Sequence, residues 1–276
     1  MIEDILVNLS VDQGSHAACD YAVSVAATFD AHLAGIAFVY DPVTPVSVAG
    51  YMPAEIVEAQ ERDNIAAAQS AAKYFSEACK RAGVSAEPQT LSASYGGVAE
   101  QFGRRARRFD LVIVGQAEPE AGAIDDAIGE AALFEGGRPV IMVPYIQKSP
   151  LELDQVMVCW DGSRAATRAI ADAMPLLKRA RRVEVLIVAN ERGKQDEIEG
   201  VDMGAHLARH GLNVEIKLEQ IGDIDVADLI LSHAADTETN FIVMGGYGHS
   251  RLREFVLGGV TRTILRSMTV PVLMSH

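Results

Sequence analysis

The stretch that decides the fold lies near the C-terminus and reads Phe241-Ile-Val-Met-Gly-Gly-Tyr-Gly-His-Ser-Arg-Leu-Arg-Glu-Phe-Val-Leu-Gly-Gly-Val-Thr-Arg262. Its first four residues are apolar, as in a short strand that is buried on both faces of a parallel sheet. Glycines follow at 245, 246 and 248, and a further pair at 258 and 259 precedes a run with helical apolar spacing. The stretch therefore predicts a strand, a glycine-rich loop and a helix in succession.

Glycines at a strand end and at a helix start have a physical use, because a backbone without Cβ can come close to a ligand. The free N–H groups of the helix's first turn, together with the helix dipole, form an anion site. Arg251, Arg253 and Arg262 add positive charge nearby. The glycines could instead serve only to turn the chain.

The loop is neither a Walker P-loop, which needs Gly-Lys-Ser/Thr, nor a dinucleotide fingerprint with G-x-G-x-x-G spacing.

The rest of the chain alternates strands with helices, and this pattern occurs twice. In the first copy we predict strands at 5–9, 31–40, 84–91, 111–114 and 139–143, and in the second at 155–160, 183–188, 214–220, 241–244 and 270–274. The repetition indicates an internal duplication with its boundary in the polar linker 147–153. Alternating strands and helices predict parallel sheets with right-handed crossovers. Ligands of such sheets bind beyond the strand C-termini, where the strand order reverses.

The spacing Gly245-x2-Gly248-x9-Gly258 resembles the ATP-binding signature of the universal stress protein family. A small hydroxyl residue or Asn usually follows the last glycine in that family, whereas Gly259 here keeps only the backbone donor. The resemblance implies an α/β fold of two repeated, open, five-stranded parallel-sheet domains, Rossmann-like and with strand order 3-2-1-4-5. The domains are expected at residues 1–147 and 152–276, paired through their fifth strands as a pseudo-dimer.

A second candidate site element, Cys159-Trp160-Asp161-Gly162-Ser163, follows the first strand of the second copy. The Asp161 carboxylate could accept from ribose or base donors, or it could simply N-cap the next helix. The segment looks like the family's Asp-Gly-Ser signature, and this favours the interpretation that Asp161 contacts a bound ligand.

By the same residue-by-residue resemblance to the family, Val188 would face the adenine of the nucleotide, with Met244 beside it. Trp160 is bulkier than the family's usual residue, so it would either stack on the base or narrow the pocket, and His249 would contact phosphate or turn outward. The predicted nucleotide-binding set is Cys159, Trp160, Asp161, Val188, Met244, Gly245, Gly248, His249, Gly258, Gly259 and Val260. The ligand implied is ATP, with or without Mg²⁺.

The first copy departs from this pattern. Ser10 takes the place of Asp161, and Glu118 stands where Gly248 would be, although Gly115 matches a glycine of the signature. Because Glu118 and the acidic residues after it would repel a triphosphate, we expect no ATP binding of the family's kind there. The first copy would bind something uncharged or act as the pairing partner.

Composition excludes several other functions. The net charge of −14 argues against nonspecific nucleic-acid binding and against an anionic membrane surface. No apolar run approaches the roughly 18 residues of a membrane span, and the N-terminus lacks the features of a signal peptide. Three scattered cysteines, Cys19, Cys79 and Cys159, are expected to be buried thiols, and this favours a cytoplasmic protein.

No catalytic constellation and no metal cluster is apparent. His206 and His210 lie four apart, but without further ligands we interpret them as part of a solvated helix face. The leading hypothesis is an ATP-binding stress-response regulator whose second domain holds the nucleotide, with a homodimer left open. Two alternatives remain, namely slow ATP hydrolysis at the same site and a protein-interaction scaffold with a vestigial pocket.

Overall fold

The computed structural model describes residues 1–11, 16–41, 54–118, 123–189, 194–222, 224–246 and 259–276, with the backbone alone described at 123–124 and 194–200. The strands are β1 (Asp4–Leu9), β2 (His32–Tyr40), β3 (Ala86–Ala93), β4 (Leu111–Gly115), β5 (Val140–Val143), β6 (Gln155–Cys159), β7 (Arg182–Ala189), β8 (Val214–Gln220), β9 (Phe241–Gly245) and β10 (Val272–Ser275). The helices are α1 (Ala17–Phe29), α2 (Ala54–Ala82), α3 (Val98–Ala106), α4 (Ala123–Glu135), α5 (Arg164–Leu177), α6 (Lys194–Arg209), α7 (Val226–Asp236) and α8 (Gly259–Ser267).

The strands form one ten-stranded sheet in the order β3-β2-β1-β4-β5-β10-β9-β6-β7-β8. The first half (β1 to β5) and the second half (β6 to β10) each have the order 3-2-1-4-5, with parallel neighbours. The halves meet where β5 and β10 pair antiparallel, with Met142 opposite Val272. The predicted fold class and the pairing through fifth strands are confirmed. The domain bounds 1–147 and 152–276 remain a prediction.

Helices cover both faces of the sheet, so its inner strands are buried on both sides and most of them read as apolar runs, whereas the edge strands β3 and β8 are partly exposed and more polar. One face packs against α1, α2 and α5, and the other against α3, α4, α7 and α8. Successive strand residues serve opposite faces, as Val7 packs into the first layer and Leu6 into the second. Gly35 in β2 shows how tight this packing is, since a Cβ there would lie 3.0 Å from the Phe75 ring of α2.

Small shifts between predicted and observed element bounds have local causes. The third strand begins at Ala86 rather than at 84, because Gly83 ends α2 with a φ of +70° and Val84 N–H still bonds back to the Cys79 carbonyl. Helix α3 ends at Ala106, and just beyond it the Arg108 N–H bonds three residues back to the Arg105 carbonyl, as in a tightened last turn.

Contacts outside the sheet also join the two halves. The backbone N–H of Leu151 donates to Ser24 Oγ of α1 at 2.8 Å. The guanidinium of Arg179 lies over the Phe29 ring at 4.6 Å from its centroid, which is a cation–π distance. Together with the β5–β10 pairing, these contacts hold the linker and both halves in one body.

Within the described residues, every helix is too short or too polar to cross a lipid bilayer. Cys19 and Cys79 are buried, Cys159 is half-buried, and all three are free thiols. The expectation of unpaired, largely buried cysteines is confirmed.

Candidate functional site

The strand order of the second half reverses between β6 and β9, and the carboxyl ends of β6, β7 and β9 meet at one edge of the sheet there. In register, Val158 lies opposite Val185 on one side and opposite Val243 on the other. Helix α5 packs on one face of these strands, and α7 and α8 pack on the opposite face. An open α/β sheet binds ligands in the crevice that forms at such a reversal.

The chain leaves β6 through a tight turn that holds Asp161. Gly162 adopts a φ of +71°, and the Ser163 N–H donates to Asp161 Oδ1 at 2.9 Å. Ser163 itself is the N-cap of α5, with its Oγ accepting from Ala166 N–H at 3.0 Å. The alternative that Asp161 caps this helix is therefore wrong, because the left-handed Gly162 separates Asp161 from the helix start. The Asp161 carboxylate is exposed.

Trp160 continues the strand for one residue, with its N–H donating to the Leu186 carbonyl at 2.9 Å. Its half-buried indole packs against the core layer that includes α5. Val188 and Met244 belong to the layer on the other face of the sheet. The indole Nε1 is buried and has no hydrogen-bond partner among the described residues. The sheet thus separates Trp160 from the two side chains expected around an adenine.

Cys159 packs on the same face as Val188. Burial raises the pKa of the Cys159 thiol to about 12, with smaller contributions from the negative charges of Asp161 and Glu184. A thiol of this kind stays protonated at neutral pH and is therefore a poor nucleophile.

Gly245, which ends β9, and Gly246, which follows it, have packing reasons of their own. A Cβ at Gly245 would lie 2.5 Å from the backbone nitrogen of Ala166 in the first turn of α5. A Cβ at Gly246 would lie 2.9 Å from Leu133 Cδ2, a side chain of the first half. Gly259 differs, because it is exposed and no atom of the described residues lies within 4 Å of the position of its missing Cβ. The close approach of α5, which the sequence does not reveal, is a sufficient reason for Gly245, whereas at Gly246 the near atom is the end of the Leu133 side chain.

The structure brings most of the predicted set to one end of the sheet. Cys159, Trp160 and Asp161 end β6, Val188 lies near the end of β7, and Met244 and Gly245 end β9, while Gly259 and Val260 begin α8. Val260 is half-buried and packs on the face that carries Val188 and Met244. Gly248, His249 and Gly258 lie outside the described residues.

Sequence reasoning missed a buried acid–base pair beside this site. Glu184 of β7 is only 6% exposed, and its Oε1 lies 2.6 Å from Nε2 of His233 in α7. A charged residue inside the apolar run Val183-Glu-Val-Leu is the signal that could have found it, because buried carboxylates are paired. The pair fixes α7 to the strand next to β6, on the face that carries Met244.

In the part of the chain that the structure describes, no three His, Cys, Asp or Glu side chains come together. His206 and His210 lie on an exposed surface with ring centroids 4.8 Å apart. This matches the interpretation of the two histidines as a solvated face.

An open, doubly wound α/β sheet with a cleft at its strand-order reversal defines a large class of ligand-binding proteins. Within that class, residues 152–276 match the model described as Universal stress protein family, so this part of the chain is a universal stress protein domain. The Universal stress protein Slr1230 of Synechocystis sp. (strain ATCC 27184 / PCC 6803 / Kazusa) is 26% identical over 171 residues, which cover 60% of this chain and 57% of that protein. The chain thus matches little more than half the length of this relative.

Solved structures extend the likeness of fold to the whole chain. A universal stress protein from Archaeoglobus fulgidus DSM 4304 superposes with a TM-score of 0.72 at 16% identity, covering 98% of this chain and 95% of that one. A putative universal stress protein from Pseudomonas aeruginosa UCBPP-PA14 gives a TM-score of 0.63 at 17% identity, covering 99% and 92%. At such identities the likeness establishes the fold, and the first half is related to these proteins by fold alone.

Proposed function

We propose that the second half binds an adenine nucleotide, ATP with or without Mg²⁺, and that the protein acts as a stress-response regulator. The observation that carries the proposal is the position of the exposed Asp161 carboxylate at the β6–β9 reversal, beside the ends of β7 and β9. The family match over residues 152–276 supports it. The nucleotide would lie across the strand ends, as ligands of such sheets do.

The Asp161 carboxylate would accept a hydrogen bond from the ribose. The turn from β6 holds its carboxylate in place through the bond from Ser163 N–H to Oδ1, so binding a ligand need not order the side chain. Oδ2 has no hydrogen-bond partner among the described residues and is the atom proposed to accept from a ribose hydroxyl. The adenine would lie along the apolar surface of Val188 and Met244, and it would not stack on the Trp160 indole across the sheet.

The phosphates would lie at the start of α8. Gly259 is exposed with open space above it, and the N–H groups of a helix's first turn attract anions. Arg262, also exposed, follows one turn into the helix and adds positive charge. The resemblance assigns the rest of the phosphate contacts to the glycine motif of residues 245–258.

Calorimetric titration of MgATP into the full chain tests this proposal. We expect one site per chain and a loss of about tenfold or more in affinity for Asp161→Asn, since removing the partner of a ribose hydroxyl costs about 1.4 kcal/mol or more. Asp154→Asn is the matched control, because Asp154 is an exposed aspartate just before the amino end of the same strand. Absence of saturable binding at millimolar MgATP, or equal loss in both variants, would contradict the proposal.

A second candidate is a protein-interaction scaffold, which the packing roles of Gly245 and Gly246 favour. If helix approach alone requires these glycines, their presence carries no information about a ligand. This alternative predicts that the chain folds and functions without nucleotide, so that Asp161→Asn leaves every activity in the cell unchanged. Slow hydrolysis at the same site would instead release phosphate in a Mg²⁺-dependent manner, which Asp161→Ala would abolish while binding survives.

A further inference from the structure

The first half contains a cleft of its own at the equivalent reversal, where the ends of β1 and β4 separate. It encloses about 650 Å³ of space, a figure that includes the part open to solvent. Helices α1 and α2 form one wall, and the segment after β4 forms the other. Its polar lining includes Asn8, Ser10, His16, Tyr74, Glu118 and Asp125.

Asn8 is the residue in this cleft that most clearly lacks a partner. It is only 7% exposed, and its Oδ1 is buried with no hydrogen-bond partner among the described residues. An amide oxygen withdrawn from water and left unpaired is unfavourable, and native structures pair nearly all such atoms. A ligand that donates an N–H or O–H from within the cleft would satisfy it.

The charge of the lining favours a positive ligand. Glu118 is exposed at the rim and Asp125 is half-buried, whereas no lysine or arginine is among the described residues that line the cleft. His16 is the one titratable group of the described lining that could carry positive charge, and its ring stacks on Tyr74 at a centroid distance of 3.7 Å. The Tyr74 hydroxyl donates to Asp20, which places another carboxylate near this wall.

Part of the remaining lining is apolar and suits the body of an organic molecule. Leu9, Ala71 and Val143 line the cleft beside the Tyr74 ring. Among the described residues no three potential metal ligands come together. Aromatic faces and carboxylates together are the surroundings that ammonium and guanidinium groups prefer.

We propose that this first-half cleft binds a small organic cation, an amine or guanidine carried on a compact apolar or flat body. Its N–H group donates to Asn8 Oδ1, its charge lies beside Glu118, and its body packs on Leu9 and Val143. The two halves of the sheet then carry sites of opposite preference, one for an anionic nucleotide and one for a cation. The inference does not depend on nucleotide binding by the second half.

The test is calorimetric titration of agmatine and of tyramine into the full chain. We expect at least one of them to bind at one site per chain, with affinity reduced tenfold or more by Asn8→Leu. Because this substitution replaces an unpaired buried amide by an apolar group of similar size, thermal stability should be kept or increased. Glu118→Gln should weaken binding several-fold and reduce its dependence on salt.

Two controls decide where the probe binds. Glu100→Gln changes an exposed glutamate of α3 outside the cleft and should leave affinity unchanged. Asp161→Asn, in the second half, should also leave it unchanged, and this separates the cation site from the nucleotide site. Failure of both probes to bind at millimolar concentration overturns the proposal. Binding that is indifferent to Asn8→Leu and Glu118→Gln, or that is lost in Asp161→Asn, overturns it as well.

Discussion

The side-chain amide of Gln116 donates to the backbone carbonyl of Leu265 at 2.9 Å, which ties the end of β4 in the first half to the last turn of α8 in the second. Gln116 is 8% exposed, and its Oε1 accepts from Tyr145 N–H at 3.3 Å. The equivalent position of the second half is Gly246, which allows Leu133 to approach instead. The two halves thus contact each other at equivalent positions, through a hydrogen bond from Gln116 on one side and through the apolar Leu133 side chain on the other.

Gln116→Leu should destabilise the chain by about 1–3 kcal/mol, because it leaves the Leu265 carbonyl and the Tyr145 N–H without their partner. The carbonyls of a helix's last turn have no partner within the helix, so α8 depends on this amide. Urea unfolding followed by circular dichroism measures the change. Gln101→Leu, at an exposed position on α3, is the control and should stay within about 0.5 kcal/mol of the parent chain. Equal stability of the two variants would show that Gln116 does not stabilise the contact between the two halves.

Gly245→Ala should destabilise the protein by about 1–3 kcal/mol, because the new Cβ would meet the backbone of α5 at Ala166. Gly259→Ala is the matched substitution within the same motif, and it should be neutral or slightly stabilising because its Cβ points into open space. Differential scanning calorimetry compares the two melting temperatures in the absence of nucleotide. A Gly245→Ala chain as stable as the parent would remove the packing reason for this glycine.

Much of the fold follows from the sequence, because apolar strand runs and intervening helices recur in one order in both halves. The site is only partly predictable. The ends of β6, β7 and β9 follow from the motif positions, so Asp161, Val188 and Met244 could be placed near one another. Contacts between distant elements, such as Gly245 with Ala166, depend on how closely helices approach the sheet, and no local pattern encodes that distance.

His233→Ala should destabilise the chain by about 3–5 kcal/mol, because it leaves the Glu184 carboxylate buried without the imidazole that pairs with it. Urea unfolding at neutral pH measures this loss. His206→Ala, at an exposed helix position, controls for removal of a histidine and should change stability little. The double variant Glu184→Leu/His233→Leu should recover part of the loss, since both polar partners are then removed together. A double variant less stable than His233→Ala would contradict this account of the pair.

The native cysteines should react slowly with a thiol-specific reagent at pH 8 and rapidly once the chain is unfolded. Burial raises the pKa of the Cys159 thiol to about 12 and that of Cys79 to about 11, and the pKa of Cys19 is raised further still. Only the thiolate attacks the reagent, so a native thiol of this kind is largely inactive at pH 8. Stopped-flow labelling with and without urea measures the rates, and Cys159→Ser shows which phase belongs to the half-buried thiol.

The raised pKa values of the native cysteine thiols also predict how the stability of the protein changes with pH. An unfolded thiol loses its proton near pH 8.5–9, roughly its unperturbed pKa, whereas the native Cys159 keeps its proton up to about pH 12. Between these values the native state binds more protons than the unfolded state, so the free energy of unfolding falls as the pH rises. Cys159→Ser removes a group that titrates only in the unfolded state over this range. The free energy of unfolding of Cys159→Ser should therefore fall less than that of the parent chain between pH 8 and pH 10. Urea unfolding at several pH values measures both. If the two chains lose the same free energy of unfolding over this range, Cys159 is not protected in the native fold.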